Sequence, residues 1–136
     1  MSTVRTGVAM SILLGVVLSV LLWVAAQPAH AQTVEECQAD IAVLRTQTQS
    51  ATFVGQNSVK DQAGLIGKLD SASTKLVQGK FTDALANLQS FRARVVALDQ
   101  QGKILDSEAS TLVAGADEAI ACVQGLIDAQ VSPTVA

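Results

Sequence analysis

Four separate stretches of this chain place apolar residues at alternating steps of three and four, the period of an α-helix with one buried face. No alternating strand pattern of useful length accompanies them. Apolar surface can therefore be buried only by closing helices on one another. The first stretch opens at Thr33 with Glu36 three residues on, a capping-box pair in which each side chain satisfies an orphan backbone N–H. Its stripe is Val34, Cys37, Ile41 and Leu44, fading into Thr46–Ser50, and Phe53-Val54-Gly55 reads as a connection that caps the bundle end. The second begins at Asn57 or Ser58, with a stripe of Ile66, Leu69, Ser73 and Leu76 widened by Leu65, Ala72 and Val77. Gly79 is its C-cap, because glycine enters the left-handed conformation without a Cβ penalty.

The third stretch follows at once, with Ala84, Leu88, Phe91, Val95 and Leu98 in strict 4-3-4-3 spacing, flanked by Phe81 and Leu85. Gly102 stops it, and Asp99 with Lys103 reads as an i,i+4 ion pair. Asp106 or Ser107 caps the fourth, whose stripe is Ala109, Leu112, Ala116, Ala119, Val123 and Leu126, widened by Val113, Ile120 and Ile127. Stripes of this width joined by short connections give neighbours of opposite direction. The sequence thus predicts an all-α fold, an antiparallel up-down-up-down four-helix bundle over 32–130, with a flexible tail over 131–136. Gly64 and Gly67 in the second helix, with Gly115 and Gly125 in the fourth, each cost up to about 1 kcal/mol relative to alanine. Close helix–helix approach is the expected compensation, and a ligand crevice the alternative.

The segment before the bundle has the layout of a secretory signal peptide over 1–31. Met1 to Gly7 carries Arg5 and no acid, Val8 to Ala26 is uncharged, and Gln27-Pro28 breaks any helix. Ala29-His30-Ala31 then puts small residues at the −3 and −1 positions of a cut before Gln32. The rival reading is a retained membrane anchor, since the apolar run approaches the roughly 20 residues that span a bilayer. Cleavage is favoured by the proline break and the small residues. No Cys follows the apolar run at once, which argues against a lipoprotein.

Cleavage changes what chemistry remains. The only His, His30, and the only Trp, Trp23, leave with the leader, and the chain has no Tyr. Of nine Lys and Arg, eight remain once Arg5 is removed, against twelve Asp and Glu, for a net charge near −4. A chain so charged has no electrostatic reason to bind nucleic acid, and no aromatic residues interleave its cations to stack bases. The two cysteines, Cys37 and Cys122, form neither a CxxC nor a zinc-knuckle spacing. In an oxidising compartment an even pair reads as a disulfide, with two buried thiols as the alternative. Antiparallel first and fourth helices would bring the two cysteines to one level.

Without His, neither a Ser–His nor a Cys–His nucleophile pair can form, and neutral-pH acid–base work loses its usual group. Glu35-Glu36-Asp40 and Asp117-Glu118 are paired carboxylates, read here as solvated helix faces with favourable first-turn charge. A di-metal carboxylate bundle would need Glu-x-x-His on facing helices, and that pattern is absent. No cofactor-binding, metal-binding or catalytic residue is therefore expected. Lys60, Lys68 and Lys75 recur along one side of the second helix, with Arg92 and Arg94 on the third. They could meet an acidic polymer, but Asp61 and Asp70 interrupt them, and a solvated face is the simpler account. Phe53, Phe81 and Phe91 read as core or bundle-end plugs rather than a sugar-binding shelf, since carbohydrate sites usually rely on Trp and Tyr.

Leu69-x6-Leu76-x2-Gly79-Lys80-x3-Ala84-Leu85-x2-Leu88-x2-Phe91-x3-Val95, followed by Gly102-Lys103-Ile104 and a Glu108-Ala109 helix start, resembles the FIMAH-type helical module of secreted bacterial proteins. The resemblance covers about Ile41 to Ile127 and rests mostly on helix-packing positions plus a Gly-Lys turn. It implies an accessory, non-catalytic role outside the cytoplasm and brings no established ligand. This chain departs from the usual context in showing no catalytic domain ahead of the module. The expectation is an exported, periplasmic or extracellular, non-catalytic module that binds a protein or cell-envelope component and touches membrane only through its leader. The alternatives are a membrane-tethered bundle that keeps the leader and, far behind, an enzyme with a carboxylate site at Asp117 or Glu118.

Overall fold

A computed structural model of the chain describes residues 33–131. The signal peptide expected over 1–31 lies outside the described residues, as does the tail expected over 131–136 except for Val131, which is helical. The backbone divides into two units, Met1–Ala31 and Gln32–Ala136, and all described residues belong to the second. Four helices account for most of it: α1 (Val34–Ser50), α2 (Ser58–Val77), α3 (Phe81–Gln100) and α4 (Asp106–Val131). Each packs on two others, closing the ring α1–α2–α3–α4–α1. Among the described residues there is no β-strand, and the all-α four-helix fold stands as the sequence predicts.

The start of α1 is set by the expected capping box. Glu36 N–H donates to Thr33 Oγ1 and Thr33 N–H donates to Glu36 Oε2, each at 3.2 Å. The helix runs further than its apolar stripe suggests, to Ser50, because Thr48 is fully buried and its hydroxyl donates to Leu44 O at 2.8 Å. A side chain so bonded meets the core with its methyl and leaves no orphan polar atom.

Both inner helices end on the glycines that the sequence marks. In α2, Gly79 N–H donates to Leu76 O and Lys80 N–H to Lys75 O; in α3, Gly102 N–H donates to Asp99 O and Lys103 N–H to Leu98 O. These are paired Schellman bonds, which need a left-handed residue at the turn, and Gly79 and Gly102 take φ of 74° and 68°. The Gly102 turn also removes the expected Asp99–Lys103 pair, because Lys103 lies beyond α3 and approaches Asp61 instead, at 3.9 Å. Asp106 is the first residue of α4 rather than its cap, since Ala109 N–H donates to Leu105 O.

The core stripes of α3 and α4 fall where the period puts them, with Ala84, Leu88, Phe91, Val95 and Leu98 buried in α3. Full burial of one such leucine contributes about 2 kcal/mol. The stripe of α2 is turned by one residue from the predicted one. Asp61, Leu65, Leu69, Ala72 and Leu76 are buried, Ile66 and Ser73 are half-buried, and Val77 is 69% exposed. A polar residue at the head of that stripe, Asp61, hides its register from a reading based on apolar spacing alone.

Cys37 and Cys122 are joined as a disulfide between α1 and α4, with Cα atoms 5.5 Å apart and 85 residues between them in sequence. Further along the same pair of helices, Gly115 faces Leu44. Beyond the helix ends, Thr52 N–H donates to Glu108 Oε2 at 2.8 Å. The α1–α2 and α3–α4 connections are tied together at this end. Phe53 and Ile104 form an isolated bridge, and Val54 N–H donates to Lys103 O at 2.9 Å. Phe91 is part of the core, and Phe53 and Phe81 are partly buried and packed against that core, in keeping with their reading as plugs.

Candidate functional site

Asp61 is the fourth residue of α2 and occupies a core position, four residues before Leu65 on the same face. A carboxylate taken out of water there must be paired, or the desolvation cost falls on the fold. Arg94 of α3 supplies the partner, donating from Nη2 to Asp61 Oδ1 at 2.7 Å. The second oxygen, Oδ2, is buried and accepts no hydrogen bond; Lys103 Nζ stands 3.9 Å from it. The sequence reading of Asp61 as one acid in a solvated face is corrected here, since only 7% of the side chain is exposed.

Around this ion pair lies an open depression of about 380 Å³, lined by Asn57, Lys60, Gly64, Lys68, Arg94 and Lys103 together with Asp61. Its form follows from the sequence of α2. Lys60, Gly64 and Lys68 are spaced by four, so they lie in file along one face. The glycine in the middle leaves a gap between two long side chains, and a Cβ built on Gly64 would meet nothing within 4 Å. Gly64 is therefore part of a crevice and not a point of close helix approach. Gly115 is the close approach, where a Cβ would fall 2.9 Å from Leu44 Cδ1.

The far wall comes from α3 and the turn that follows it. Lys103 is fixed by its backbone on both sides, its N–H donating to Leu98 O and its carbonyl accepting from Val54 N–H, each at 2.9 Å. Lys68 Nζ donates to Ser90 Oγ across the α2–α3 seam at 2.8 Å. Asn57, at the N-terminus of α2, spends no side-chain hydrogen bond on capping that helix.

Charge is distributed unevenly. Four of the eight Lys and Arg in 32–136 line this one depression, with a single carboxylate among them. The other eleven Asp and Glu lie elsewhere, against the remaining four cations. A positive concavity on an otherwise negative surface focuses field and raises the local concentration of anions.

Of the carboxylates singled out in sequence, Glu36, Asp40 and Glu118 lie near one another across the α1–α4 seam. Burial raises the pKa of Asp40, and the negative charges of Glu118 and then Glu36 raise it further. Asp117 is drawn away by Arg92, which donates from Nε to its Oδ1 at 2.7 Å. Asp99, in the last turn of α3, is likewise raised, chiefly by a side-chain hydrogen bond with Asp106, then by burial and by that neighbour's charge. Among the described residues no group of three His, Cys, Asp or Glu side chains is placed to hold a metal ion. A smaller depression of about 180 Å³ between α1 and α4 is lined by Gln47, Ser50, Ala51, Glu108, Thr111 and Leu112, with no cation. No protein-family model, curated protein or solved structure matches the chain.

Proposed function

We propose that this chain is an exported, non-catalytic helical module that acts by binding, and that the basic depression between α2 and α3 is where it engages a protein or cell-envelope component. The observation that carries the reading is the convergence of Lys60, Lys68, Arg94 and Lys103 on one concavity of a chain that is otherwise acidic. Export is supported by the leader-like segment ahead of Gln32 and by the Cys37–Cys122 disulfide, which belongs to an oxidising compartment. The helices run up-down-up-down with antiparallel neighbours. Supporting that topology, residue numbers fall along one helix as they rise along the next: Cys37 with Cys122 and Leu44 with Gly115, Lys68 with Ser90 and Asp61 with Arg94. The likeness to the FIMAH-type module belongs to this proposal, as the accessory role it implies.

The test is fractionation of the native host with intact mass measurement, followed by binding to washed envelope. The expected product begins at Gln32, is two hydrogen atoms lighter than its reduced form, and leaves the membrane in carbonate. It binds washed envelope in a manner that weakens as salt screens exposed charges. Retention of the full-length chain in carbonate-washed membrane would support the tethered alternative. A cytosolic protein with two free thiols would overturn the export reading, and envelope binding unaffected by Lys60→Gln with Lys103→Gln would overturn the placement of the site.

A further inference from the structure

We infer that the depression at Asp61 is a site for an anionic, hydroxylated small ligand of acidic-sugar type, its carboxylate held by the cations and a neighbouring hydroxyl held by Asp61. This deepens the binding role proposed above and rests on the same site. The volume, about 380 Å³, lies within the range of about 300–1,000 Å³ typical of small-molecule sites. Its lining is polar, so an apolar ligand would strip water from Lys60, Lys68 and Lys103 without replacing their hydrogen bonds. An anion replaces them with charge-assisted bonds, which are the stronger kind.

A bare oxyanion, however, leaves Asp61 unanswered. Its Oδ2 is a buried acceptor without a hydrogen bond, and Lys103 Nζ at 3.9 Å is too far to give one. The atom needs a donor. Oδ2 is enclosed as the structure stands, so a ligand that carries a hydroxyl near its carboxylate supplies the donor to Asp61, and an acceptor to Lys103, as the lysine side chain swings aside. Lys103 then turns from the carboxylate of Asp61 to that of the ligand, and its pinned backbone keeps it at the site while the side chain moves. Asn57, with a side chain not used in capping, offers a further amide at the rim for a second hydroxyl. Gly64 leaves the floor open between Lys60 and Lys68.

Three probes separate the parts of this inference: D-glucuronate (charge and hydroxyls), D-glucose (hydroxyls alone) and acetate (charge alone). They are titrated into the protein, purified as the cell makes it and labelled with ¹⁵N, while backbone amides are followed by NMR. Glucuronate is expected to shift the amides of Lys60, Gly64, Lys68 and Lys103 with an affinity about tenfold above that of acetate, the ratio that one added hydrogen bond to a charged group brings. Glucose is expected to shift none. Lys60→Gln with Lys103→Gln should weaken glucuronate about tenfold or more. Asp61→Asn should narrow the difference between glucuronate and acetate, because a neutral amide pairs with the hydroxyl more weakly than the carboxylate does. Equal affinity for both anions in the unaltered protein removes the role of Asp61, and absence of any shift with glucuronate removes the site. Should Asp61→Asn fail to give a dispersed spectrum, the three-probe comparison in the unaltered protein still decides. Purified protein serves throughout, so a failure here is distinct from a failure of the export reading.

Discussion

A Cβ placed on Gly115 would sit 2.9 Å from Leu44 Cδ1 and 3.2 Å from Gln47 Oε1, so α4 approaches α1 as closely as it does because residue 115 has no side chain. The two elements are also joined by the disulfide, and Leu44 is 1% exposed, so neither can give way without cost. Gly115→Ala gains up to about 1 kcal/mol of helix propensity but overpacks the seam at a cost of about 1–3 kcal/mol. A net loss of about 1 kcal/mol is expected in urea unfolding. Gly67, in α2, has nothing within 4 Å of its Cβ position, and Gly67→Ala should stabilise by about 0.5–1 kcal/mol. Equal stabilisation by both substitutions would show that the α1–α4 contact is loose.

The contrast between these glycines also marks where the sequence is legible. Spacing alone locates the helices, because burial of Leu88, Phe91, Val95 and Leu98 has to follow the helical period. The capping box at Thr33 and the stops at Gly79 and Gly102 are local chemistry, readable one turn at a time. Gly64, Gly67 and Gly115 look alike in sequence, and what differs is the neighbouring helix, which spacing does not describe. Asp61 is the larger miss. Its side chain reads as solvated because its reason for burial, Arg94, lies 33 residues away. One signal was available: Asp61 sits four residues before Leu65, on the file that continues to Leu69. Following that file would have turned the stripe of α2 by one residue and brought Asp61 inside.

The disulfide closes a loop of 85 residues, which in the chain-entropy account stabilises by about 4–5 kcal/mol. Since whole domains are stable by only about 5–15 kcal/mol, reduction should remove a large share of the total without altering the helix pattern. Circular dichroism with and without reductant, followed through urea, is expected to show the same folded spectrum and a much lower midpoint. An unchanged midpoint would mean that the unfolded chain is already restrained near this contact.

Arg94 and Asp61 should be energetically coupled. Removing the guanidinium in Arg94→Met leaves a buried carboxylate with no hydrogen bond from a side chain, its nearest cation being Lys103 at 3.9 Å. Arg94 is itself 43% exposed, so the cost is set below that of a fully buried pair, at about 1–2 kcal/mol. In an Asp61→Asn background the same substitution should cost about 1 kcal/mol less. A double-mutant cycle by thermal or urea unfolding measures the difference, and a coupling near zero would show that the pair is not what holds Asp61 in the core.

Asp40 links stability to pH. Burial, then Glu118, then Glu36 raise its pKa above the 3.8 of an unperturbed aspartate, so the folded chain binds this proton more tightly than the unfolded chain does. Stability must then fall as pH rises through 3.8 and up to the raised value, and the whole penalty is in force at neutral pH. Asp40→Asn removes the charge without changing the shape. At pH 7 it should stabilise by about 0.3 kcal/mol, the scale of one like-charge i,i+4 contact such as Glu36 with Asp40. Below the range in which Asp40 protonates, the unaltered protein already lacks the charge, and the two proteins should unfold together. Thermal unfolding at pH 7 and at pH 3 tests the sign directly. A gain that persisted at the lower pH would trace to packing or helix propensity, and the acidic seam between α1 and α4 would carry no electrostatic strain.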